Sequence, residues 1–192
     1  MQFELPQEEN SIIKVIGVGG GGSNAVNHMY RQGIKGVDFI ICNTDRQALD
    51  KSPVPNKIQL GARSTKGLGA GSIPGVGRDA ALESIEEIKS YLGESTQMVF
   101  ITAGLGGGTG TGAAPVIASV ARELGILTVG IVTIPFAFEK KKRRAQAESG
   151  LEEMKKYVDT LLVIGNDKLR EIYGNLKMSE AFAHADDVLT GA

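Results

Sequence analysis

Gly106-Gly107-Gly108-Thr109-Gly110-Thr111-Gly112 follows the apolar stretch 98–103 and opens the helix-like stretch 113–124. A short apolar strand running through clustered glycines into an amphipathic helix is the pattern of a phosphate cradle. Without a Cβ, glycines let several backbone N–H groups face one small volume, and the free donors and dipole of the following helix add positive potential there. The hydroxyls of Thr109 and Thr111 are placed to donate to phosphate oxygens or to stand in the shell of a bound Mg²⁺. A mobile linker is the competing reading, but linkers are rarely welded between a strand and a helix.

Outward from this segment, the 26 glycines cluster at the carboxyl ends of apolar runs. The runs predict strands at 12–18, 37–43, 57–60, 97–103, 127–133 and 160–164. Helices are predicted at 24–32, 78–92, 113–124, 139–158, 167–173 and 178–189, with a glycine-rich loop at 64–77. In 78–92, Ala81, Ile85, Ile88 and Leu92 repeat at helical spacing on one face. Near-continuous Val/Ile/Leu strands alternating with amphipathic helices imply an α/β fold, a Rossmann-like mostly parallel sheet with helices on both faces. Ligands of such sheets bind outside the strand carboxyl ends.

A chain of 192 residues with 42% hydrophobic content suffices for one domain with its own core. The expected organisation is a flexible tail over 1–11 and one domain over 12–192. A net charge of −1 argues against a general nucleic-acid binder. The single cysteine, Cys42, sits in an apolar strand and reads as a buried small hydrophobe in a reducing compartment. Residues 1–10 lack a basic region followed by an apolar one, so the expected location is the cytoplasm. No apolar run reaches the ~18 to 20 residues that span a bilayer, and no direct membrane insertion is expected. His28 and His184 have no metal-ligand spacing.

Gly17-x-Gly19-x-x-Gly22 also fits the dinucleotide fingerprint of oxidoreductases. Such an enzyme would carry an acidic residue at the end of the second strand; Asn43 stands there, with Asp45 two residues on. A second cradle at 106–112 and a third glycine loop at 67–71 surround more phosphate than one pyrophosphate needs. No Walker motif occurs, since Lys66 precedes its glycine and no Ser or Thr follows.

GGGTGTG at 106–112 resembles the signature of the tubulin/FtsZ superfamily. The turn 17–27, Cys42-Asn43-Thr44-Asp45, Gly67-Leu68-Gly69-Ala70-Gly71, Pro135-Phe136-Ala137-Phe138-Glu139 and Asn166-Asp167 resemble, in order, the nucleotide-contacting loops of its bacterial cell-division branch. The resemblance implies GTP or GDP as ligand, with Mg²⁺ accompanying GTP and no direct protein ligand to the metal. It implies phosphate contacts from Gly19, Gly20, Gly21, Gly22, Asn24, Ala70, Gly71, Gly106, Gly107, Gly108, Thr109, Gly110 and Thr111. Asn43, Pro135, Glu139 and Arg143 fall to the ribose and phosphate region, and Asn166, Phe182 and Asp187 to guanine. An ionised Asp187 would accept both N–H groups of the guanine edge and repel adenine, while Phe182 would stack on the base.

The run Lys140-Lys141-Lys142-Arg143-Arg144 opposes the dipole of its helix unless an anion lies close, which favours a nucleotide role for Arg143. Four positions depart from the family pattern: Ile73 and Gly75 around Pro74, Lys140 where Gly is usual, and Gly165 where Pro is common. The chain ends at Ala192, before the acidic loop that the resemblance makes catalytic, so no catalytic residue is expected within it. The resemblance implies a division-site GTPase acting in head-to-tail filaments, with partners and membrane tethers held by regions beyond these; the alternative within the same family is a non-catalytic scaffold that binds nucleotide only to fold. The 192 residues alone are expected to be monomeric, to bind nucleotide and to turn it over little.

Overall fold

The computed structural model describes residues 11–173 together with Val188 and Gly191. Strands β1 (Ile13–Val18), β2 (Asp38–Asn43), β3 (Asn56–Gln59), β4 (Met98–Gly104), β5 (Leu127–Ile134) and β6 (Thr160–Gly165) form one all-parallel sheet. Its order is β3-β2-β1-β4-β5-β6. The connections carry α1 (Gly19–Arg31), α2 (Arg46–Asp50), α3 (Pro74–Glu83), α4 (Ile85–Leu92), α5 (Thr109–Glu123), a 3₁₀ turn (Ala137–Glu139), α6 (Lys141–Lys155) and α7 (Asn166–Tyr173). The Rossmann-like expectation is met.

Period-two alternation sorts the strands' side chains to two faces. Ile16, Val18, Ile40, Cys42, Ile101 and Ala103 pack with α3, α4, α5 and α6, while Val15, Phe39 and Ile41 pack with Val26 of α1. Each fully buried Ile, Val or Leu contributes about 1.5–3 kcal/mol by leaving water. Burial, with the charge of Glu87 adding to it, pushes the Cys42 thiol far up, so it stays protonated. Lys14 lies in a central strand because its register partner is Asp38, whose carboxylate it meets at 2.9 Å.

Several helix boundaries differ from the sequence reading, and the short α2 was not expected. α1 and α5 begin five and four residues earlier than predicted, at Gly19 and Thr109, so both glycine clusters feed directly into first helical turns. Intrinsic propensity places such glycines outside helices, and tertiary packing overrides it here. The predicted helix 78–92 is two helices, α3 starting at Pro74 in the favoured first-turn position and α4 starting after a break at Ser84. Ser84 is non-helical (φ −104°, ψ 16°) and its buried hydroxyl accepts from Gly61 N at 3.0 Å. The predicted helix 139–158 begins only at Lys141, because Lys140 breaks it with φ +78°.

β1 and β4 are neighbours whose connections leave in opposite directions, and that switch point opens a crevice at the strand carboxyl ends. The long loop beside it is anchored by Glu83, which accepts from Arg63 N (2.9 Å) and Ser64 N (3.1 Å). These bonds, the Arg63 amide first, hold the half-buried Glu83 carboxyl below its usual range. A depressed carboxylate contributes its tie above the unfolded-state value and loses it as pH falls through the lower folded one. Hydrogen-exchange protection factors of the Arg63 and Ser64 amides should therefore hold down to the ordinary carboxylate range and fall below it. Factors flat from pH 7 to pH 3 would contradict this tie.

Candidate functional site

Two glycine turns meet over the β1–β4 seam. Gly19 adopts φ +70°, and a Cβ built on it would stand 2.8 Å from Gly110 N, so the starts of α1 and α5 approach to backbone contact. Gly20 faces open space, with nothing within 4 Å of its Cβ position. At Gly107 the nearest atom to such a Cβ is Arg143 Nη2 at 4.0 Å. The N-termini of two helices of 13 and 15 residues thus present free N–H groups and positive dipole ends to one volume.

The threonines brace this volume. Thr109 Oγ1 is 2.7 Å from Thr44 Oγ1, which ties α5 to the end of β2. Thr111 is buried, and its Oγ1 accepts from Gly106 N at 2.8 Å. That bond closes the turn 106–111 on itself and takes up one of its N–H groups.

The 64–73 loop forms the next wall. Arg46 N donates to Gly67 O (3.0 Å) and Gly69 N to Thr44 O (3.2 Å), fixing the loop to the end of β2. Ala70 is buried and Gly71 exposed. A Cβ on Gly108 would lie 2.8 Å from both Ala70 Cβ and Ile73 N. Substitution at Gly108 would therefore displace this loop as well as disturb the cradle.

Loop 135–140 closes the far side. Pro135 and Phe136 are buried, with Phe136 stacked on Phe138 at 4.9 Å. Glu139 uses both carboxylate oxygens within the protein, accepting from Phe136 N and from Arg143 Nη1, each at 2.9 Å. The predicted Glu139–Arg143 pair therefore exists, joining the 3₁₀ turn to α6 across Lys140. Lys140 itself (φ +78°, ψ +143°) occupies a region that glycine tolerates and lysine does not.

Asn166 is 6% exposed and its Oδ1 has no hydrogen-bond partner, an acceptor left open inside the fold. Asp167 beside it accepts from Ala137 N at 3.0 Å. Asn24 is exposed on α1; Asn43 is buried and accepts from Asp45 N at 3.2 Å. Asp45 in turn caps α2 through Ala48 N at 3.2 Å, a structural duty in place of the ribose role a dehydrogenase would need. Phe182 and Asp187 lie outside the described residues. The structure thus gathers the assigned residues from 19–22, 43, 70–71, 106–111, 135–143 and 166 at the carboxyl edge of the sheet. It adds Thr44 and Asp167, which the sequence reading quoted within motifs but gave no role. A groove of about 600 Å³ between α3, α5 and α6 shares only Thr111 with this group.

The GTPase-domain profile of the tubulin/FtsZ family matches residues 12–174. The chain belongs to the tubulin/FtsZ family. Curated relatives of this family, both named cell division protein FtsZ, come from Porphyromonas gingivalis (60% identical over 182 residues) and Buchnera aphidicola (58% over 184). The matches cover 94% and 95% of this chain, which spans only 40% and 48% of those relatives' lengths. An empty FtsZ dimer from M. jannaschii superposes with a TM-score of 0.92 at 47% identity, covering 97% of this chain and 54% of that one. CetZ2 from Haloferax volcanii, a GTPγS-bound protofilament, gives 0.83 at 25% identity over 93% of this chain and 56% of that one. The dinucleotide-oxidoreductase alternative finds no support in these tubulin/FtsZ matches.

Glycine at position 140 would adopt the positive φ that strains Lys140 without a Cβ penalty. Lys140→Gly should raise stability by about 1 kcal/mol, relief of left-handed strain minus the entropy cost of a glycine. Thermal unfolding measures it, and an unchanged or lowered Tm would show that the position carries no strain.

Proposed function

We propose that this chain is a guanine-nucleotide-binding domain of a tubulin-like cell-division GTPase. The observation that carries the reading is the meeting of the Gly19 and Gly110 backbones, which aims two helix N-termini at one point beside the 64–73 and 135–143 loops. Phosphates suit the cradles, with Gly20 and Gly107 facing the open volume. Ribose suits the 135–143 side. For the base, Asn166 carries an unpartnered buried acceptor, its Oδ1, and Asp187 adds a charged acceptor by family resemblance. Mg²⁺ would enter with the triphosphate, as the family resemblance implies.

Hydrolysis in this reading needs acidic groups from a second subunit, and Mg²⁺ and the cradle N–H groups would stabilise the charge that develops on the transferring phosphoryl. Residues 1–192 would then constitute the nucleotide half of a shared site. Leu68, Ile73 and Phe138 are 85%, 53% and 47% exposed in the loops around that face, apolar surface suited to a head-to-tail neighbour. Among the described residues no helix is long and apolar enough to cross a membrane, and action at a division site follows from the filament reading.

Calorimetry with GTP, ATP and xanthosine triphosphate tests the base assignment. Asp187→Ala should weaken GTP by roughly 1.5–3 kcal/mol and lower the preference for guanine; an unaltered preference removes Asp187 from the site. For the cradle, Gly20→Ala is the clean probe, since its methyl enters open space on a helical turn. It should leave Tm equal or slightly higher and lower GDP affinity about tenfold or more. Equal affinity would place the phosphates elsewhere. With GTP and Mg²⁺ the chain alone should release phosphate at near-background rates, and robust concentration-dependent turnover would refute the shared-site mechanism.

A further inference from the structure

We propose that Asp167 is a positioning residue that clamps the ribose loop to the base-binding turn, so that the two halves of the nucleoside pocket act together. This rests on the guanine-nucleotide reading above. The clamp is the hydrogen bond from Ala137 N to Asp167 Oδ1 at 3.0 Å, which spans 30 residues of sequence. At one end it grips the 3₁₀ turn Ala137–Glu139, just after the buried Pro135 and Phe136 and just before the strained Lys140. At the other end it sits in the first turn of α7, immediately beyond Asn166 with its open Oδ1.

The loop has two carboxylate anchors with different reach. Glu139 accepts from Phe136 N and pairs with Arg143, both within its own segment, and so fixes the loop's internal shape. Asp167 ties that shape to β6 and α7. Gly165, the last residue of β6, is paired in the sheet with Ile134, and beyond it the chain leaves the sheet directly into α7. A charge-assisted bond one residue beyond Asn166 ties that exit to the ribose loop. Without it, the base-side and ribose-side contacts would each have to be ordered when nucleotide binds.

GDP titrations on the nucleotide-stripped chain, with Asp167→Ala and Asp167→Asn alongside the parent, test the clamp. Asp167→Ala should bind GDP roughly tenfold more weakly, the range for loss of a hydrogen bond to a charged group. Asp167→Asn keeps an acceptor oxygen for Ala137 N and should recover most of that loss. An Asn variant as weak as the Ala variant would assign the effect to charge at the start of α7 and overturn the clamp. GDP affinity in Asp167→Ala equal to the parent's would overturn it too. Hydrogen exchange of the Ala137 amide without nucleotide supplies a readout independent of binding: protection in the parent and the Asn variant, and loss in the Ala variant. Equal protection in all three would overturn the clamp even if the parent took up no GDP, a result that would separately defeat the guanine reading.

Discussion

Everything on the functional edge depends on one steric constraint, the backbone contact between the turns that start α1 and α5. Gly19 approaches Gly110 so closely that any side chain there would push the two helices apart. The contact sits over the β1–β4 seam, where connections on either side diverge and the sheet leaves a crevice. Two helix N-termini then converge, and their unsatisfied N–H groups create a site whose natural partner is an anion.

The surrounding loops are held to that contact by hydrogen bonds that do not involve a ligand. Thr109 bonds Thr44 at the end of β2, and Thr44 O in turn receives Gly69 N from the long loop. Gly108 receives Ala70 and Ile73 in the space a side chain would fill. Thr111 closes its own turn through Gly106 N. On the far side Glu139 and Asp167 fix the 135–140 segment. A site pre-shaped in this way loses less conformational freedom on binding than one built from loose loops.

Much of this was legible in the sequence because strand periodicity and glycine clustering are local signals. The six strands, their parallel arrangement and the glycine turns at their carboxyl ends follow from them. What escaped is tertiary. The chain enters helices at 19–22 and 109–112 despite the weak propensity of glycine because Gly21, Gly22 and Gly110 pack on the β4 backbone at Thr102 and Gly104. The break at Ser84 arises because its hydroxyl serves Gly61 N, a partner 23 residues away. Asp45 looked available to a ribose and is spent on capping α2. Asp167 had a visible signal, an acidic residue opening a helix after a strand, but its partner Ala137 is not deducible from spacing.

The central claim is that segments spread from Gly19 to Asp167 make a single guanine-nucleotide site. Hydrogen–deuterium exchange of the nucleotide-stripped chain with and without GDP tests it most directly. The account predicts added protection together in 19–22, 43–44, 69–73, 106–111, 135–143 and 165–167, saturating with one binding constant. Protection confined to the groove between α3, α5 and α6, or split among segments with different constants, would contradict it.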